Sequence, residues 1–148
     1  MKVWGRTKIL VYWDLLKEDI SILIDMLDEH LPKGGFEIIP TLERLERAVR
    51  KPGHSPLVIL GVISSKDELR KLAQMGPLLE DERILLLLPD GDQETLSLAH
   101  KCGPRFVTWG PRAIFEIQEI LKRIIEEANR QQGASDGSAS TNPEARAL

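Results

Sequence analysis

The stretch "PLVILGVISS" (Pro56–Ser65) decides the fold. From Leu57 to Ile63 it is apolar without alternation, rich in β-branched residues and no longer than a strand. An amphipathic strand with one wet face would alternate apolar and polar residues. An unbroken apolar run reads instead as a strand buried on both faces, the habit of parallel sheets covered by helices. Directly after it, Ser65 and Glu68 form the S-x-x-E pattern of a helix start, ahead of Leu69, Leu72 and Ala73. A buried strand feeding a capped helix is one half of a βαβ unit.

Working outward, the same unit recurs. "KILVYWD" (Lys8–Asp14) is a first strand, followed by a helical pattern with Leu16, Ile20, Leu23, Leu27 and Leu31 on one face. Pro32, Gly34 and Gly35 stop that helix. "FEIIP" (Phe36–Pro40) is a second strand, and Thr41 caps a helix that buries Leu42, Leu45 and Val49. "KPGHSP" is a turn into the third strand, and "MGP" ends or kinks the helix after it. "RILLLLP" is a fourth strand, and a turn at Asp90–Gly91 with a cap at Asp92 leads into a short helix closed by Gly103. "RFVTW" (Arg105–Trp109) is the fifth strand. The last helix carries Ile114, Ile117, Leu121, Ile124 and Ala128 along one face. Five such units predict an α/β fold: a three-layer, doubly wound (βα)₅ parallel sheet in the order 2-1-3-4-5. The expected organisation is an extension over residues 1–7, a domain over 8–129 and a disordered tail over 130–148, where Ser, Ala, Gly and Asn dominate.

Composition narrows the function. Apolar residues at 42% and charged residues at 29% belong to a soluble globular chain. A net charge of −3 supplies no electrostatic footprint for nucleic acid. The single cysteine, Cys102, excludes an internal disulfide and fits a reducing cytoplasm, the expected location. No apolar run reaches the roughly 18 residues of a membrane helix. His100 and Cys102 stand two apart, with His30 and His54 at no useful spacing, so no metal site is expected. Nucleophile-elbow, P-loop and C-x-x-C motifs do not occur. No catalytic, cofactor-binding or metal residue is therefore assigned, and the chain is not expected to be an enzyme.

The order and lengths of the elements over Lys8–Asn129 resemble the receiver domain of bacterial response regulators, a flavodoxin-like family. The resemblance implies a two-component signalling module. Its chemistry is phosphoryl transfer to an aspartate at the tip of strand three. An acidic pair after strand one holds Mg²⁺, a Thr or Ser ends strand four, and a Lys–Pro step ends strand five. In this chain those places fall at Trp13–Asp14, Gly61, Leu88 and Trp109–Gly110, with Pro111 matching the family proline. One acid remains, and no Asp or Glu lies between Leu57 and Lys66. The resemblance is thus to a degenerate receiver, with aspartyl-phosphate switching lost.

What is left is surface. In the family the face built by the fourth helix, fifth strand and fifth helix docks dimers and partners. Here it would comprise Thr95 to Cys102, Phe106 to Trp109 and Ile114 to Ala128, with Leu96, His100, Phe106, Trp109, Phe115, Ile120 and Ile125 as the contact residues. The breadth of the apolar arc on the last helix predicts a homodimer or a groove for a signalling partner. Arg44, Arg47 and Arg50, interleaved with Glu43 and Glu46, read as a solvated, ion-paired face, with an acidic-partner patch as the alternative. The competing reading of the whole chain is a small-molecule or nucleotide binder, or an enzyme, using the rim loops. It requires an open polar pocket bordered by Asp14, Ser64, Ser65, Asp90 and Thr108.

Overall fold

In the computed structural model, which describes residues 8–14, 19–51 and 56–133, five strands form one parallel sheet in the order β2-β1-β3-β4-β5. The strands are β1 (Ile9–Trp13), β2 (Phe36–Ile39), β3 (Val58–Val62), β4 (Ile84–Leu88) and β5 (Phe106–Trp109). The helices are α1 (Ser21–His30), α2 (Leu42–Arg50), α3 (Lys66–Gln74), α4 (Gly76–Leu79), α5 (Gln93–Lys101) and α6 (Ala113–Gly133). The expected strand order is the observed one. The expected extension over residues 1–7, Leu16 in the first helical pattern and most of the "KPGHSP" turn lie outside the described residues.

The alternation of side chains along each strand splits the core into two layers. Ile9 and Val11 of β1, with Val58, Leu60 and Val62 of β3, face α1 and α6. Leu10 and Tyr12, with Ile59 and Ile63, face α2, α3 and α5. Every residue of β3 and β4 is buried, which is why their sequences show no polar alternation. Each fully buried Leu or Ile contributes on the order of 1.5–3 kcal/mol relative to exposure.

Three local expectations change. "MGP" does more than end a helix: Met75 closes α3 and starts the one-turn α4, with Pro77 in its first turn, where a missing N–H costs nothing. Asp92 stands at the start of α5 without a side-chain cap; Asp90 takes the capping role instead, as its carboxylate accepts from the Asp92 N–H and from Thr95 Oγ1. Finally, α6 continues to Gly133, four residues into the segment that composition assigns to the tail; the remaining tail residues lie outside the described ones.

Candidate functional site

The C-terminal ends of the strands form the rim where ligands bind in folds of this kind. Register brings the expected positions together. Tyr12 lies beside Gly61 and Trp13 beside Val62; Gly61 lies beside Leu86, and Leu88 beside Trp109. Gly61 itself is not the last residue before the loop. The strand continues through Val62, and Ile63 still donates its N–H to Leu87 at 2.9 Å and is completely buried. The space in front of Gly61 is occupied: a Cβ placed there would lie 2.9 Å from Leu86 Cδ2 and 3.7 Å from Ile63 Cδ1. Leu88 is buried as well, and Gly110 leaves β5 with φ +95°, a left-handed turn that favours glycine.

Polar groups at the rim are organised by Glu68, one turn into α3. Glu68 donates its own N–H to Ser65 Oγ, as the S-x-x-E pattern predicts. Its carboxylate passes over Ser65 to accept from the Ser64 N–H at 2.8 Å and from the Tyr12 hydroxyl at 3.0 Å. Burial, and then the charge of Glu68, push the Tyr12 phenol well above its ordinary range. This β1–α3 tie is the feature that sequence reasoning missed. The capping pattern singled out Glu68, but nothing in the local sequence points from it to Tyr12.

A second tie crosses from α3 to the start of α5. Lys66 lies 3.1 Å from Asp92 and 3.6 Å from Glu94, and Arg70 lies 3.0 Å from Glu94. The hydrogen bond to Asp92 holds the Lys66 ammonium above its usual range, and the bonds from Thr95 and Asp92 N–H hold Asp90 below the usual carboxylate range. Thr108 of β5 donates to Glu116 of α6. Of the groups that an open polar pocket requires, the Ser64 N–H, Ser65 Oγ, Asp90 and Thr108 are therefore all engaged with the protein itself.

The two rim tryptophans differ. Trp13 and its neighbour Asp14 are half-buried, and Trp13 packs on the layer shared by α1 and α6. Trp109 is 43% exposed, and its indole lies on the backbone of Gly91 in the β4–α5 loop. A methyl at Gly91 would overlap the indole Nε1 and lie 2.5 Å from Cε2. Gly91→Ala should therefore displace the ring and cost about 1–2 kcal/mol. In a chain whose other tryptophans, Trp4 and Trp13, are replaced by Phe, the fluorescence should shift to the red; an unchanged spectrum would deny the contact.

On the α5–β5–α6 face, Phe115 is 57% exposed and His100 is exposed, whereas Leu96, Phe106 and Ile120 are half-buried against the core. Ile125 is not a surface residue: it is 3% exposed and belongs to the core beside Leu121. The reason is the rotation of α6. Its most buried line is Ala113, Ile117, Leu121 and Ile125, with Ile114, Ile120 and Ile124 packed along the flanks. The broad apolar arc is thus filled by the sheet and α1, and the free apolar groups on this face reduce to Trp109 and Phe115. Cys102 is buried with its thiol pushed up to about 11 by desolvation. Among the described residues, no cluster of three or more His, Cys, Asp or Glu side chains is placed to hold a metal ion, and no helix is long and apolar enough to cross a membrane.

No protein-family model matches the sequence, and no match was found among curated proteins. Solved structures do match. A CheY-like response-regulator receiver domain protein from Methanospirillum hungatei JF-1 superposes with a TM-score of 0.58 at 17% identity, over 85% of this chain and 98% of that one. The chain has the receiver fold. The signal receiver domain of a modulated diguanylate cyclase from Desulfovibrio desulfuricans G20 gives 0.55 at 16% identity, over 85% and 98% of the two chains. A pilus assembly-related protein from Burkholderia pseudomallei K96243 gives 0.54 at 18% identity, over 85% and 94%. At such identities the likeness concerns the fold; what the receiver rim can do in this chain depends on its own residues.

Proposed function

We propose that the chain is a receiver-like signalling module that works without aspartyl phosphorylation, through contact with a protein partner. The observation that carries this reading is the filled space in front of Gly61, where Leu86 Cδ2 stands within 2.9 Å of any added Cβ. Phosphoryl transfer needs an acceptor oxygen, a cation and room for a tetrahedral phosphorus. Here the strand-three position has no side chain, Leu88 stands at the end of strand four, and Trp109–Gly110 stand where the lysine step falls. The engaged rim groups likewise favour this reading over a small-molecule site, and on it the chain is not an enzyme and acts in the cytoplasm. Pilus assembly-related and signalling proteins both occur among the structural neighbours, so the receiver fold is shared by chains with different outputs. The contact face is Trp109 and Phe115, either toward a partner or toward a second copy of the chain.

Incubation with acetyl phosphate and Mg²⁺ followed by intact-mass measurement tests the proposal. The mass should remain that of the unmodified chain. A stoichiometric, hydroxylamine-labile phosphoryl adduct would overturn it.

A further inference from the structure

Among the described residues no strand pairs with the outer side of β2, which ends the sheet, and a basic groove runs beside it. Ile9 donates its N–H to the Gly35 carbonyl at 2.9 Å, so Gly35, Glu37 and Ile39 turn their backbone groups toward β1. The alternation of a parallel ladder then turns the N–H and C=O of Phe36 and Ile38 outward. An outward row of this kind is a template for another strand. Proteins commonly cover or charge such an edge. Here it borders a groove of about 280 Å³ between β2 and α2, whose lining includes Ile38, Arg44, Arg47 and Lys51.

Arg44 and Arg47 share one face of α2 at i and i+3, and Lys51, which follows its last residue, lines the same groove. Among the described residues none of them has an ion-pair partner, whereas Arg50 on the same helix is held by Glu46 at 3.0 Å. The single acid in the groove lining, Glu37, is already matched by Lys8 at 3.4 Å. At about 1.5 Å of rise per residue, the cations span roughly 10 Å. Carboxylates on one face of an extended chain recur about every 7 Å, so two of them fall within that span. The arginine stripe of α2 thus divides: Arg50 belongs to an ion-paired surface, while Arg44 and Arg47 line the groove beside β2.

We infer that the β2 edge docks an extended acidic segment of a protein partner by strand addition. The outward backbone groups of Phe36 and Ile38 pair with the segment, and Arg44, Arg47 and Lys51 neutralise its carboxylates. This surface lies across the sheet from the α5–β5–α6 face and stands whether or not that face engages a partner.

The probe is a short fluorescein-labelled peptide of alternating Glu and Val, titrated with the full chain and followed by anisotropy, with amide hydrogen exchange read in parallel. It should bind, the outward amide of Ile38 should become protected, and Arg44→Glu/Arg47→Glu should weaken binding about tenfold or more. Both arginines are exposed, so circular dichroism and the melting temperature of that variant should match the parent. Absence of binding would overturn the proposal, as would equal binding of a Lys–Val peptide. Equal binding of an acidic peptide interrupted by proline would also overturn it, by reducing the site to a charged patch without strand pairing.

Discussion

Gly61→Asp should destabilise the domain by about 3 kcal/mol or more and should yield no phosphoryl adduct. The added Cβ alone meets Leu86 Cδ2 at 2.9 Å, which a leucine methyl can relieve by a small rotation. Gly61→Ala should accordingly stay within about 1 kcal/mol of the parent, since relief of the glycine's backbone entropy opposes the crowding. The carboxylate is a different matter. It enters the layer formed by Tyr12, Ile59, Ile63, Leu86 and Leu88, whose described members include no cation to receive it. Urea unfolding of the parent, Gly61→Ala and Gly61→Asp separates the steric from the electrostatic cost. Leu86→Ala alone should lose about 2–5 kcal/mol as a cavity mutation. Added to Gly61→Asp it should cost less than the sum of the two, because the space that Leu86 vacates admits the carboxylate and water. A Gly61→Asp chain of parental stability that takes up phosphate from acetyl phosphate would show the receiver pocket intact behind a single lost residue, and the proposed mode of action would fail.

This layer also shows why the fold was legible in the sequence while the site was only partly so. The unbroken apolar runs of β3 and β4 exist because both faces of those strands are covered, a condition that only a parallel, doubly covered sheet meets at this chain length. Helix caps are equally local. Thr41 and Ser65 cap as their sequence predicts, since the pattern contains both donor and acceptor. Asp92 fails as a cap because Asp90, two residues earlier, reaches both Asp92 N–H and Thr95, and composition cannot rank two neighbouring aspartates. Ile125 fails as a surface residue because rotating a broad apolar helix by a fraction of a turn exchanges its flank for its core stripe. Ties such as Arg70–Glu94 and Tyr12–Glu68 join residues that are 24 and 56 positions apart. They depend on which strands become neighbours, so no window along the chain contains them.

Glu68→Ala should cost about 2–4 kcal/mol, because one truncation orphans two donors, the Tyr12 hydroxyl and the Ser64 N–H. Glu68→Gln keeps an acceptor oxygen and should lose roughly half as much, mainly the charge-assisted part. Tyr12→Phe removes a donor rather than stranding one and should cost about 1–2 kcal/mol. The pH dependence distinguishes this tie from mere packing. Burial first, and the Glu68 charge second, raise the folded phenol above the ordinary tyrosine value of 10.0. A group whose folded pKa is raised gives its full stabilisation below the unfolded value and loses it as pH climbs through the folded one. From about pH 10 upward the unfolded tyrosine ionises while the folded one keeps its proton, so stability should fall by at most about 1.4 kcal/mol per pH unit. Cys102 adds a limb of the same sign that begins nearer pH 9, since its thiol moves from 9.0 to about 11. The comparison is therefore made in a Cys102→Ala background. There Tyr12→Phe should make the slope above pH 10 shallower, leaving the same-sign limb of exposed Lys66, whose ammonium is also held above its usual range, and Glu68→Ala should lessen the tyrosine limb by removing one of its two main causes. A slope unchanged by Tyr12→Phe would place the alkaline-sensitive group elsewhere. A Glu68→Ala chain within about 0.5 kcal/mol of the parent would mean that water satisfies both donors and that the rim does not depend on the β1–α3 tie.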